Sequence, residues 1–347
     1  MYVVSVHGES PYISVFSGSN RFLKRQLGLL FRGAGMGAAD AVPGVSGGTI
    51  AFITGIYEEL LLTVRRFGPS AFGAWRQGGM AGLIAHLNLG FLVPLLAGIA
   101  ASLISVAHLV VWLMEDHPLL LNGFFFGLVA ASALVVGRHP ADWRFWHLLP
   151  LAIGLLLAQL LPALMPLIGR LGSPELMLVV GGAIAISAML LPGVSGSFLL
   201  LTMGLYGKVM DAIRDVDLGA ILLFGGGCLI GLFAFSRLLC WLLLRFHTAT
   251  LQLLVGFILG SLPVLWPWRE LVSYQLGPDG QMIPLDYRYL TPSAFTEVTG
   301  DPAHLLGVAA LMLAGAALVW SIGRTQNGDQ TVAPGGRHEN KEEGSDA

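Results

Sequence analysis

The sequence predicts an all-α polytopic membrane protein with inverted repeats, each a broken or re-entrant helical hairpin followed by transmembrane helices. Three observations predict it. The chain is 55% hydrophobic and 12% charged, with a mean hydropathy of +0.74, outside the soluble range. Several uncharged runs approach the ~20 residues needed to cross a bilayer. The pentapeptide Pro-Gly-Val-Ser-Gly occurs twice, at Pro43 to Gly47 and Pro192 to Gly196, each time interrupting an apolar stretch.

The match extends beyond the pentapeptide. At a shift of 149 positions, eight of the 23 residues from Pro43 to Arg65 are identical, with Gly55 falling on Gly204, Tyr57 on Tyr206 and Arg65 on Arg214. A second block aligns at a shift of 129, placing Trp112 on Trp241, Gly127 on Gly256 and Ser132 on Ser261. Two collinear matches argue for internal duplication, with repeat one at about 30–136 and repeat two at about 181–268.

Residues 1–24 form an N-terminal segment without a basic region followed by an apolar core, so no cleavable signal peptide is expected. One membrane domain then covers 25–325. It opens with a hairpin over 27–64, broken at the first pentapeptide. The stretch 65–87, with Arg65, Arg66, Trp75 and Arg76, reads as an amphipathic element along the inner surface. Uninterrupted spans are expected at 88–114 and 118–137, followed by a connecting span at 146–169. The second hairpin covers 175–213, with spans at 218–245 and 249–268 after it. The segment 269–303, carrying Pro278, Pro284, Pro292 and Pro302, reads as an external loop. A last span at 304–323 precedes a polar tail, 326–347, expected to be disordered and cytoplasmic.

Three full spans separate the hairpins, so the second enters from the face opposite the first. With the N-terminus inside, the cytoplasmic segments hold twelve Lys and Arg and the other face five, which places both termini in the cytoplasm. A net charge of -2, with basic residues near segment ends, excludes a nucleic-acid partner. Cys228 and Cys240 lie in apolar runs, and the nine histidines lack ligand spacing, so no disulfide, metal or cofactor is expected. Gly227 with Gly231, and Gly256 with Gly260, have the spacing that lets membrane helices approach closely.

The turns carry the chemistry. Pro43 has no N–H and biases Val42 away from helical geometry, so the first arm ends there. Gly44 and Gly47 permit a tight reversal, and Ser46 suits the cap of the next helix. The amides of Gly47, Gly48 and Thr49 are then expected to lack an intrahelical acceptor, as are those of Gly196, Ser197 and Phe198 beyond the cap Ser195. Irregular backbone at membrane depth persists only inside protein or beside a cavity. Two helix N-termini arriving from opposite faces bring positive dipole ends together, and a phosphate is the natural occupant. The alternative is that small-residue turns serve helix packing alone.

Other polar residues in the hairpins have two readings each. Arg32 complements a phosphate and Asp40 binds a coupling cation or proton, or the two pair with one another or snorkel to the inner surface. Tyr57, eleven residues after Ser46, shares the face of its cap and lines a passage with Tyr206, or both sit in an interfacial belt. Arg65 and Arg214 guide an anionic headgroup or anchor helix ends. Glu58 is a second candidate for ion coupling.

The run Gly37-Ala-Ala-Asp-Ala-Val-Pro-Gly-Val-Ser-Gly-Gly-Thr-Ile, continued by Gly55-Ile-Tyr-Glu58, resembles a bacterial membrane family, formerly a domain of unknown function, now regarded as polyprenyl-phosphate translocases. Leu191-Pro-Gly-Val-Ser-Gly-Ser fits the same family, and the similarity covers about 25–325. The resemblance implies a transporter in the bacterial cytoplasmic membrane, not an enzyme. It implies recycling of undecaprenyl phosphate from the outer to the inner leaflet for cell-wall synthesis. Coupling to a proton or sodium gradient through Asp40 or Glu58 is compatible with it. Two other readings are weighed. Undecaprenyl-pyrophosphate phosphatases carry a similar Pro-Gly-x-Ser motif that continues with Arg and Ser, where this chain has Gly47-Gly48 and Gly196-Ser197. Small-anion transporters also use helix N-termini in inverted repeats.

Overall fold

A computed structural model describes residues 11–42, 45–137, 145–169, 172–276 and 282–330. Its frame is four parallel helix pairs seamed by glycine. Helix α1 (Pro11–Asp40) runs parallel to α5 (Leu89–Ser105), with Gly33 against the backbone of Leu95, Gly37 against Ile99 and Gly98 against Leu30. Helix α9 (Pro174–Leu190) does the same with α12 (Leu218–Arg245), where Gly227 abuts Val179 and Gly231 abuts Ala183. The other pairs are α7 (Pro118–Gly137) with α15 (Leu305–Gln330), and α8 (Leu148–Ile168) with α13 (His247–Ser261). Gly127 meets Met312 in the first of these, and Gly256 and Gly260 meet Leu151 and Leu155 in the second. Lipid tails are as apolar as side chains, so helices in a membrane associate through close backbone approach. The spacing read at Gly227, Gly231, Gly256 and Gly260 serves this purpose.

The pairing displays the duplication. The pair α1 and α5 corresponds to α9 and α12, and each repeat's last helix, α8 or α15, packs on the other repeat's α13 or α7. The spans at 146–169 and 304–323 thus complete the two repeats and interlock them.

Two side-chain contacts fix the relative direction of the halves. Arg25 in α1 meets Glu59 in α3 (Tyr57–Arg65) at 3.0 Å, so the first hairpin returns to the face it came from. Glu58 meets His247, two residues past the end of α12, at 2.9 Å. Helix α12 therefore runs toward the face from which α1 departs, and its parallel partner α9 runs with it. The repeats are inverted.

Three expectations are corrected. The returning arm of each hairpin is two short helices rather than one, α2 (Gly47–Ile53) with α3, and α10 (Gly196–Thr202) with α11 (Tyr206–Arg214). The breaks fall at Gly55 and Gly204, whose φ of 72° and 71° a side-chain-bearing residue rarely adopts. Helices α2 and α3 meet at 117°, so the helical phase that put Tyr57 on the face of Ser46 is lost. The span at 88–114 is not continuous. Helix α5 stops at Ser105, whose hydroxyl bonds back to the Ala101 carbonyl, and α6 (Ala107–Asp116) resumes after Val106.

Helix α4 (Pro69–His86), kinked at Gly79, meets α5 at 43° and exposes Phe72, Trp75, Met80 and Ile84. The segment after α13 forms an antiparallel hairpin, β1 (Arg269–Leu276) with β2 (Met282–Tyr289), and a short α14 (Pro292–Thr299) capped by Thr291. Two tryptophans pin it to the bundle. Trp268 donates to the Ala303 carbonyl at 2.9 Å, and Trp266 donates to Leu290 while packing edge-on against Phe126 of α7. Helix α15 continues to Gln330, past residue 325, and 331–347 lie outside the described residues.

Candidate functional site

Pro43 and Gly44 lie outside the described residues, and the first turn is defined by what flanks them. Helix α1 ends at Asp40, and the amide of Val45 donates to the Val42 carbonyl at 3.1 Å. Ser46 is extended and its hydroxyl accepts from the Gly48 amide at 3.1 Å, the cap its position predicts. The neighbouring amides do not stay unpaired as expected. Gly47 donates to the Asp40 carboxylate at 2.6 Å, and Thr49 donates to the Ser46 carbonyl at 2.8 Å. The first helix N-terminus is thus closed by the chain's own carboxylate, the charge such an end attracts.

The second turn is capped by the matching serine and has a different occupant. Ser195 is extended and accepts from Phe198 at 3.4 Å, so that amide is taken. The amides of Gly196 and Ser197 make no hydrogen bond among the described residues. The hydroxyls of Ser195 and Ser197 lie 3.0 Å apart. The cause is one residue. A side chain on Gly47 would fall between Asp40 and the Met36 carbonyl, and one on Gly196 between Met189 and the Ala185 carbonyl. These positions correspond at the 149 shift, so a thioether in repeat two replaces the carboxylate of repeat one. Ser197 is exposed and Ser195 half-buried, whereas Ser46 through Thr49 are buried.

The two turns touch. The Thr49 hydroxyl accepts from the Gly193 amide at 2.8 Å, and the Tyr57 hydroxyl donates to the Leu190 carbonyl at 2.7 Å. Gly48 sits close to the carbonyls of Met189 and Leu191, where a side chain would not fit. Thr49 is 1% exposed, and its loss leaves the half-buried Gly193 amide without a partner. Thr49→Val, which keeps the shape, will destabilise the fold by about 1–3 kcal/mol in a detergent melt. Thr49→Ser will restore most of that.

Tyr57 is 2% exposed and committed to Leu190, so it lines no passage in this structure, a second departure from expectation. Its counterpart Tyr206 is 37% exposed. Asp40 bonds to Gly47 and does not pair with Arg32, which lies exposed on α1. Arg65 sits exposed at the end of α3 near Cys240, while Arg214 is drawn to Asp211 and Asp215 at 3.0 and 3.5 Å. The structure therefore brings Asp40, Ser46 through Thr49 and Gly193 through Ser197 together, and leaves Arg32, Arg65, Arg214, Glu58 and Tyr206 outside that cluster. The reading of the residues missed the link from Tyr57 to Leu190 and the pairing of Glu58 with His247. Both join residues more than 130 positions apart. The replacement of Asp40 by Met189 at the 149 shift lies among other differences between the first arms, so the sequence did not single it out.

Inverted repeats whose re-entrant hairpins meet tip to tip define a multi-pass membrane protein with the architecture of secondary transporters. The profile of the undecaprenyl phosphate translocase-like family matches residues 36–283, and the chain belongs to that family. It is similar to a polyprenyl-phosphate transporter of Vibrio cholerae serotype O1, at 44% identity over 293 residues, covering 84% of this chain and 94% of the relative. A polyprenyl-phosphate transporter of Staphylococcus aureus is 30% identical over 265 residues, covering 69% of this chain and 85% of the relative. No solved structure matches.

Proposed function

We propose that the chain carries undecaprenyl phosphate from the outer to the inner leaflet of the bacterial cytoplasmic membrane, with both its termini in the cytoplasm. The observation that supports this reading most is the pairing of one closed turn with one open turn at the meeting point of the repeats. The phosphate head is held at the open turn, by the amides of Gly196 and Ser197 and the hydroxyls of Ser195 and Ser197. Gly47, Gly48, Thr49 and the cap Ser46 form the wall against which it rests. The isoprenoid tail stays in the bilayer, so only the head needs a polar route.

Arg32 complements the phosphate along α1, and Arg65 and Arg214 meet it at the ends of the short helices. No covalent step is required. The arginine that phosphatases place after the motif serine, which would stabilise charge on a transferring phosphoryl group, is replaced here by glycine in both copies. Asp40 is the coupling group, because it already occupies the amide that an incoming anion would claim. Its protonation, or a sodium ion beside it, frees that amide and links headgroup movement to the gradient. Glu58, paired with His247, is the second candidate.

The test is transport of labelled undecaprenyl phosphate in proteoliposomes. Ser46→Pro together with Ser195→Pro removes both caps and will lower the rate at least tenfold while the protein stays monodisperse. Normal transport by that variant would refute the site. Release of phosphate from the pyrophosphate lipid, or chloride flux independent of lipid, would instead favour the enzyme or small-anion reading.

A further inference from the structure

The two halves are inverted copies, yet their short helices sit in different places. In repeat one, α3 docks across the molecule on α12 of repeat two, Tyr57 is buried, and its hydroxyl bonds to the Leu190 carbonyl where α9 ends. In repeat two, α11 packs on α12 of its own repeat and makes no comparable contact with α5, and Tyr206 is exposed. The counterpart of the Leu190 carbonyl, at the 149 shift, is that of Ala41, directly after α1. Neither the Tyr206 hydroxyl nor the Ala41 carbonyl makes a hydrogen bond among the described residues. A donor and an acceptor at matching positions are thus joined to one another in one copy and, among the described residues, apart in the other.

In an inverted repeat, exchanging the conformations of the halves converts a state open to one face into a state open to the other. We propose that Tyr57 and Tyr206 are alternating latches of this exchange: Tyr57 on Leu190 closes the face of α3, and Tyr206 on Ala41 closes the face of α11. This rests on the transport reading above, which requires both states. The latches are unequal. Thr49 adds a second bond to the Tyr57 latch through the Gly193 amide, and Arg25 with Glu59 and Glu58 with His247 reinforce it at the surface. In repeat two the residues matching Thr49, Glu58 and Glu59 are Phe198, Gly207 and Lys208, which cannot repeat those contacts. The state with the α3 face closed is therefore the resting one.

The experiment places a cysteine at Ser197, exposed in this state, in the full-length protein in proteoliposomes. Its labelling by a membrane-impermeant maleimide is followed from each face, with the unmodified protein giving the background from Cys228 and Cys240. Tyr57→Phe removes one latch and will raise labelling from the α3 face by up to about fivefold, the factor one net hydrogen bond supplies to the minor state, with a smaller slowing from the α11 face. Tyr206→Phe removes the other and will leave labelling from that face equal or faster, with any labelling from the α3 face suppressed. Tyr206 is exposed, so that variant will fold even if Tyr57→Phe does not. Labelling unchanged by Tyr57→Phe in a monodisperse protein, or shifted in the same direction by both variants, overturns the latch, as does α3-face labelling left intact by Tyr206→Phe. The readout needs no lipid. Opposite shifts with no transport of undecaprenyl phosphate would reject the substrate and keep the latch.

Discussion

Gly227→Leu will break the seam between α9 and α12 and leave little folded protein, while Gly225→Leu and Gly226→Leu will be tolerated. The three glycines are consecutive in one helix and nearly identical to a sequence-based eye. Only the third faces a backbone: a side chain on Gly227 would run into the carbonyl of Val179, whereas those on Gly225 and Gly226 would meet nothing within 4 Å. Overpacking a tight contact costs about 1–3 kcal/mol when neighbours adjust. Here the obstacle is main chain in a parallel helix, which adjusts only by moving the whole pair apart, so the loss will be at least about 3 kcal/mol on that scale. The two outward glycines will instead gain roughly the helix-propensity difference, on the order of 1 kcal/mol. Thermal stability of the three variants by size-exclusion in detergent checks the order. Equal losses for all three would mean that this seam does not hold repeat two together.

Asp40→Asn will fold normally and lose gradient-driven transport, whereas Asp40→Leu will lose both. The asparagine oxygen still accepts from the Gly47 amide and the turn survives, but nothing remains to take up a proton or attract a cation. Leucine leaves the Gly47 amide without its partner in a buried turn, at about 1–3 kcal/mol. The measurement is uptake of labelled undecaprenyl phosphate into proteoliposomes with and without an imposed proton or sodium gradient. Stimulation by the gradient at least tenfold in the unmodified protein, absent in Asp40→Asn, is the expected result. If Asp40→Asn keeps the full stimulation, coupling lies elsewhere, and Glu58 with His247 is next.

The paired pentapeptides showed how much of the architecture is local information. Proline and serine at fixed offsets terminate one helix and cap the next wherever they occur, so the positions of both turns and both caps were readable from Pro43, Ser46, Pro192 and Ser195. Spans were readable because a bilayer imposes a length on apolar runs. The break at Val106 escaped because hydropathy is continuous across it and it spans a single residue, beside a serine whose hydroxyl bonds within its own helix. The second break of each hairpin, at Gly55 and Gly204, was visible as an aligned glycine, but a lone glycine does not announce a positive φ.

Composition and repetition alone determined that this is a membrane protein of two opposed halves with an unwound turn in each. Those features depend on hydrophobicity and backbone chemistry within a few consecutive residues. Which turn is shut and which is open was decided only in three dimensions. A carboxylate seven residues upstream bends onto the Gly47 amide, while the equivalent methionine cannot. Tyr57 reaches a carbonyl 133 positions away because α3 folds onto the opposite repeat. Contacts of that kind depend on where the chain places distant segments, and no local pattern encodes them.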